Sequence, residues 1–295
     1  MLESILEFLL QGVILGGLYA LFAVGVSLIF GVLDVVNVAH GEFFAVGGYL
    51  VFAAVVLLKL SPVVGILAAS VGAFLLGLAV YPLLLAPLKR RLGRRPQGPL
   101  YLVLTLGLST FMQNSLLVLA GGDYLQIPPH VRGILDLSFT AVSYQRLLVL
   151  LVAAVLLAGL FAFFKFHRQG LAVRAVSQNP DAAQAMGINL PRIFSLSLAL
   201  GVGLAGVGGA LIAPQFNVYP AVGLPLTIKA FAITILGGMG NLAGALLASL
   251  VLGVAESLSV MVIPSQWQNL IAFAVMIAVL LVRPQGLLGR AVTRT

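Results

Sequence analysis

The sequence predicts an all-α integral membrane protein with about eight transmembrane spans, some of them broken or re-entrant, and a parallel internal repeat. Three observations predict it. First, 61% of the 295 residues are hydrophobic and only 8% charged, with a mean hydropathy of +1.15, whereas a soluble domain carries about a quarter charged residues. Second, the few charges punctuate long uncharged runs. Third, glycines and prolines fall inside those runs, where they break helices.

Uncharged runs cover 8–33, 60–88, 96–122, 147–164, 193–228, 230–255 and 257–282. Since one crossing needs about 20 apolar residues, the expected spans are 8–30, 41–58, 62–85, 99–119, 146–164, 193–213, 223–258 and 266–282. The N-terminal segment carries Glu3 and Glu7 and no basic residues, so it reads as a retained first span rather than a cleaved signal peptide. The run 147–164 is short but gains Phe166 beyond Lys165, whose long side chain can snorkel. The run 193–228 is too long for one crossing and is interrupted by Pro214, Pro220 and Pro225. The segment 223–258 is expected to be a pair of short helices meeting at Gly237-Gly238-Met239-Gly240.

The net charge of +8 reports topology rather than nucleic-acid binding. Twelve of the 16 basic residues lie in three segments: Lys89, Arg90, Arg91, Arg94 and Arg95; Lys165, Arg168, Arg174 and Arg192; and Arg283, Arg290 and Arg294. The positive-inside rule places these segments and the C-terminus in the cytoplasm. The N-terminus and the loop 120–145, with Asp123 and Asp136, then lie outside. The absence of cysteine excludes disulfides and thiolate metal sites.

Two stretches resemble each other. GLYALFAVGVSLIFGVLDVVNVAHG begins at Gly17, and GLPLTIKAFAITILGGMGNLAG begins at Gly223. Each opens with Gly-Leu, places a glycine at Gly31 or Gly237, and then shows Asn-x-Ala before another glycine: Asn37, Ala39, Gly41 and Asn241, Ala243, Gly244. Both copies are expected to enter from outside, break, and return outward, which makes the repeat parallel. Broken helices expose backbone groups that survive only against protein or a water-filled path.

Polar groups inside such spans are costly and mark candidate sites. Asn37, His40 and Glu42 cluster at the first break, and Asn241 occupies the second. They either line a translocation path or satisfy helix ends, and His-Gly-Glu is too sparse for a metal site. Lys229 and Glu256 lie on the two arms of the second break, at a similar depth, and an ion pair between them would relieve the cost of isolated charges. Three histidines, no cysteine and scattered carboxylates provide no catalytic set, so no catalytic residue is expected. Gly201-x-Gly203-x-x-Gly206 lies inside an apolar span, not after a strand. It reads as close helix packing, as do Gly12-x-x-x-Gly16 and Gly240-x-x-x-Gly244.

The longest polar interruption is the loop 165–192. Asn179 is a good N-cap, Pro180 suits the first helical position, Asp181 complements the helix dipole, and Gly187 is a natural stop. A helix of about two turns is predicted there, carrying Asp181, Ala182, Ala183 and Met186. It either docks into a groove of a soluble partner or merely caps the bundle.

Asp181-Ala182-Ala183-x-x-x-Gly187, followed by Leu190-Pro191, resembles the Glu-Ala-Ala coupling loop of ABC importer permeases, with Asp in place of Glu. GLYALFAVGVSLIFGVLDVVNVAHGEF and KAFAITILGGMGNLAGALLASLVLGVAE extend the resemblance over nearly the whole chain, to the LivH-type permease of branched-chain amino acid ABC importers. The resemblance implies one permease domain over 1–295, with Asp181, Ala182, Ala183, Met186 and Gly187 coupling it to an ATPase. It also implies a homologous permease as a heterodimer partner, two ATPase subunits and an extracytoplasmic solute-binding protein, all at a bacterial inner membrane. No phosphate-binding loop occurs in the chain, so ATP would be bound by the partners and no cofactor by this subunit. Urea, short amides or a sugar are alternative solutes, and a stand-alone secondary transporter or channel is the rival class.

Overall fold

The computed structural model describes residues 2–92, 98–136, 140–264 and 267–289, apart from the side chains of Leu2, Arg90, Leu92 and Asn269. Arg94, Arg95, Arg290 and Arg294 of the basic segments therefore lie outside the described residues. The chain opens with α1 (Leu2–Leu33), then α2 (His40–Phe52), which runs on to Leu57 through a π-helical stretch. Next come α3 (Pro62–Val80), a π-helical stretch at Tyr81–Leu85, and α4 (Ala86–Leu92). Pro82 sits in that stretch and lacks the N–H that a regular helix would use. After α5 (Gly98–Ala120) come two short antiparallel strands, β1 (Ile134–Asp136) and β2 (Ala141–Ser143). The rest is helical: α6 (Tyr144–Phe166), α7 (Arg168–Gln178), α8 (Pro180–Ala185), α9 (Leu190–Ile212), α10 (Gly223–Gly237), α11 (Leu242–Ser259) and α12 (Gln268–Val282).

Eight of these helical segments are long and apolar enough to cross a membrane. The expected span 223–258 is two of them, Pro220–Gly237 and Leu242–Ser259, while the last expected span corresponds to the shorter apolar helix Leu270–Val282. The hairpin β1–β2 and α7 go beyond the elements the sequence predicts.

Among the eight, α1 and α9 are the most buried and α5 the least, so α1 and α9 form the centre of the bundle. Their contact depends on small residues: a Cβ added to Gly201 would stand 2.7 Å from Gly25 O. The face of α1 bearing Gly12 and Gly16 packs on α11 in the same way. A Cβ on Gly16 would meet Leu250 Cα at 2.8 Å, and one on Gly253 would meet Gly12 O at 2.6 Å. Close backbone approach of this kind is how apolar helices associate where burial from water offers no driving force.

Each repeat copy is a helix, a break and a second helix. α1 and α10 lie side by side and run the same way, since Lys229 meets Tyr19 and, one turn on, Thr234 meets Ala23. α11 returns antiparallel to α1, with Gly240 against Gly31 at one end and Ser257 bonded to Phe8 O at the other. Gly240 departs from the packing expected of Gly240-x-x-x-Gly244. It lies in the turn with φ +79°, a conformation that needs no Cβ, and not on a helix face.

The described residues between α5 and α6 are tied to the bundle at two places. Leu125 and Val218 exchange backbone hydrogen bonds of 2.9 and 3.0 Å. The last turn of α9 leaves carbonyls without helical partners. Gln145 donates to Leu211 O at 2.9 Å, and His130 Nε2 donates to Ala210 O at 3.0 Å. Burial holds the His130 pKa below the ordinary histidine value. Because α1 and α11 touch backbone to backbone, Gly253→Leu is expected to destabilise the chain by at least the roughly 1–3 kcal/mol typical of overpacking. Gly107→Leu, at a glycine with open space around it, should be close to neutral. Unfolding titrations in mixed micelles would measure both, and equal losses would sink the packing account.

Candidate functional site

α1 ends at Leu33, and the chain then passes through a non-helical segment, 34–39, with Asp34 at φ 54° and a turn at 38–39, before α2 begins at His40. His40 lies edge-on to Phe22, with ring centroids 6.4 Å apart at 74°, and α1 continues eleven residues beyond Phe22. The start of α2 is therefore deep within the bundle. Its cap residue, Ala39, offers no side-chain hydrogen bond. The cap comes from elsewhere: Gly41 N donates to Thr227 Oγ1 of α10 at 2.8 Å, and that hydroxyl in turn donates to Gly223 O. Thr105 of α5 serves this non-helical segment, accepting from Val38 N at 3.2 Å and lying 3.1 Å from Val36 O.

Glu42 sits in the first turn of α2, where a negative side chain complements the helix dipole. Ser109 donates to its Oε1 at 2.9 Å, and its carboxylate lies against Gly223 at the start of α10. Asn37, His40 and Glu42 are thus brought together, but all three are buried, His40 and Glu42 completely. They flank the start of α2, where Glu42 is the member held by a side-chain hydrogen bond. Asn241 is not with them. It caps α11, accepting from Gly244 N at 3.0 Å and donating to Leu288 O, at the basic end of the bundle. Among the described residues no group of three His, Asp or Glu is placed to hold a metal ion.

Lys229 and Glu256 meet across the second break, with Nζ 3.0 Å from Oε1. A third residue, which no sequence pattern singles out, joins them. Tyr19 of α1 donates to Glu256 Oε2 at 2.6 Å and accepts from Lys229 Nζ at 2.9 Å, while the ammonium also lies 4.9 Å from the Tyr19 ring centre. Three helices, α1, α10 and α11, are pinned by one charge-assisted cluster.

The polar interruption forms a compact module. α7 buries Gly170, Val173 and Val176, a three-residue spacing that marks one helical face. Asn179 then caps α8 by accepting from Ala182 N at 2.9 Å. Gly187 ends the module with φ +86°, as a C-terminal stop requires. Ala183 is buried in the core, whereas Asp181, Ala182, Met186 and Gly187 are exposed, Met186 at 83%.

α5 has two faces. Tyr101, Thr105 and Ser109 are buried against the first break, and this four-residue spacing was readable as a polar stripe. On the other side Gly107, Thr110 and Asn114 are exposed. Thr110 and Asn114 return hydrogen bonds to carbonyls of their own helix.

Truncating one member of a buried ion pair strands the other, at a cost of about 3–5 kcal/mol. Lys229→Met and Glu256→Gln are each expected to lose folded protein, and the double variant should be less damaged than the two losses added together. Strict additivity in an unfolding titration would remove the coupling.

Comparison with known proteins agrees with this architecture. Residues 8–280 match the family model described as branched-chain amino acid transport system, permease component. The chain is 32% identical over 294 residues to the high-affinity branched-chain amino acid transport system permease protein BraD of Pseudomonas aeruginosa, covering 97% of this chain and 96% of that one. It is 31% identical over 303 residues to the LivH protein of Escherichia coli K12, covering 98% of both. Among solved structures, PsaBC from Streptococcus pneumoniae in complex with Fab shares the fold over 97% of both chains, at a TM-score of 0.52 and 14% identity. On the family model and the full-length relatives together, this multi-pass membrane protein belongs to the branched-chain amino acid transport system permease family.

Proposed function

We propose that this chain is the membrane-spanning subunit of an ABC importer and carries branched-chain amino acids across a bacterial inner membrane by alternating access. The full-length likeness to BraD and LivH supports the solute class. The observation that carries the coupling reading is the module α7–α8: an exposed edge of Asp181, Ala182, Met186 and Gly187 on a back fixed by buried Ala183, Val173 and Val176. Such a unit can seat in a groove and pass a displacement inward as a rigid body. Met186 supplies an adaptable apolar contact. The engine is a pair of ATPase subunits on the basic, cytoplasmic side, with the N-terminus outside and the C-terminus inside. This subunit itself performs no chemistry and binds no cofactor.

The translocation path follows the outward face of α5. A membrane-long helix that exposes Thr110 and Asn114 beside Gly107 is poorly suited to lipid, and a second, homologous permease would close that face into a path. Glu42, Ser109 and Thr105 stand directly behind it and fix the position of α5 against the first break. An extracytoplasmic binding protein delivers the solute, so path contacts stay weak and passing.

Asp181→Lys combined with Gly187→Trp is expected to abolish co-purification of a nucleotide-binding protein from native membranes and to cut uptake at least about tenfold. If the wild type emerges alone under conditions that preserve known complexes, a stand-alone carrier replaces the importer reading. Asn114→Leu tests the path separately. It should change the uptake KM or kcat while leaving the assembled complex intact, and unchanged kinetics would move the path off α5.

A further inference from the structure

At the basic end of the bundle, a cavity of about 770 Å3 opens between α1, α6, α7 and the second break. Its lining divides in two. Phe161 and Phe164 of α6 form an apolar wall, while Lys165 and Arg174 stand at the rim beside Asn241. Both cations are exposed, and no residue lining the cavity carries a carboxylate. Among the described residues, Lys165 contacts the Phe166 ring, 5.1 Å from its centre, and neither cation has an ion-pair partner. A third feature lies farther in. Ser27 is completely buried, lines the cavity, and its hydroxyl has no hydrogen-bond partner among the described residues. An unanswered buried hydroxyl points to a missing polar group.

We infer that this cavity binds the phosphodiester headgroup of an anionic phospholipid. Lys165 and Arg174 take the phosphate, the phenylalanine wall takes the upper acyl chain, and Ser27 meets an ester or glycerol oxygen. Charge, amphiphilic lining and position agree. Basic pockets between spans at the membrane surface suit anionic headgroups, and the volume falls in the range of ligand sites, about 300–1,000 Å3. A soluble phosphate would use the two cations but leave the apolar wall uncovered. The bound lipid would bridge α6, α7 and the second break, so it would brace the back of the module that carries Asp181 and Gly187. The inference does not depend on the solute or on the ATPase partners.

The test is native mass spectrometry of the full-length chain, with any subunits that accompany it, from nanodiscs of dioleoyl phosphatidylglycerol or dioleoyl phosphatidylcholine. The expected result is phosphatidylglycerol retained through delipidation by the wild type and phosphatidylcholine lost. Retention should fall at least about threefold in the Lys165→Gln/Arg174→Gln variant. It should hold in Lys165→Arg/Arg174→Lys, which keeps the charges, and in Lys59→Gln/Arg132→Gln, which removes two charges elsewhere. Gel filtration and thermal unfolding confirm that each variant is folded. Equal retention by the wild type and the Lys165→Gln/Arg174→Gln variant overturns the proposal, as does equal retention of the two lipids. Displacement of the lipid by millimolar inorganic phosphate or glycerol phosphate also overturns it, since the site would then be one for a soluble anion.

Discussion

A backbone that breaks inside an apolar bundle must find its hydrogen bonds within the protein, and the rest of this structure is arranged around that constraint. The non-helical segment 34–39 and the start of α2 present amides that the regular helices do not satisfy. Three hydroxyls answer them or the carboxylate beside them. Thr105 and Ser109 come from α5, and Thr227 comes from α10. Each of these bonds joins elements far apart in sequence, so satisfying the break also fixes α5 and α10 against α2. The break is a junction rather than a weak point. It makes the positions of α5 and α10 interdependent through α2.

The second anchor is ionic. Lys229, Glu256 and Tyr19 connect α1 to both arms of the second repeat copy, and glycines let α1 and α11 approach until backbones touch. These devices differ in kind. The glycine contacts set distance and are gained by dispersion along the whole interface. The charged cluster sets register, because a shift of one turn would leave a carboxylate or an ammonium unpaired in a medium of low dielectric. Together they make α1 the axis on which the second copy is mounted.

The polar module at the basic end is built to be stiff behind and accessible in front. Gly170 lets α7 fold tightly back on α6, Val173 and Val176 seat it, and Ala183 seats α8. Its exposed edge would sit on a partner, while its back borders the cavity that holds Lys165 and Arg174. Lipid at one face and a soluble subunit at the other would act on the same small rigid unit.

The sequence by itself determined the membrane class, the approximate crossings, the two breaks and the cap chemistry of α8. These are local properties: run length, the placement of glycine and proline, and an Asn-Pro-Asp signal are all read within a few residues. It also named Lys229 and Glu256, because a lone charge in an apolar span demands a partner. Only the tertiary structure decided that His40 and Glu42 are buried, that Thr227 accepts from Gly41 N, and that Tyr19 completes the ion pair. Those partners lie between 67 and 237 residues away in the chain. Which side chain reaches an unsatisfied amide depends on how helices are laid beside one another, and no local pattern carries that information.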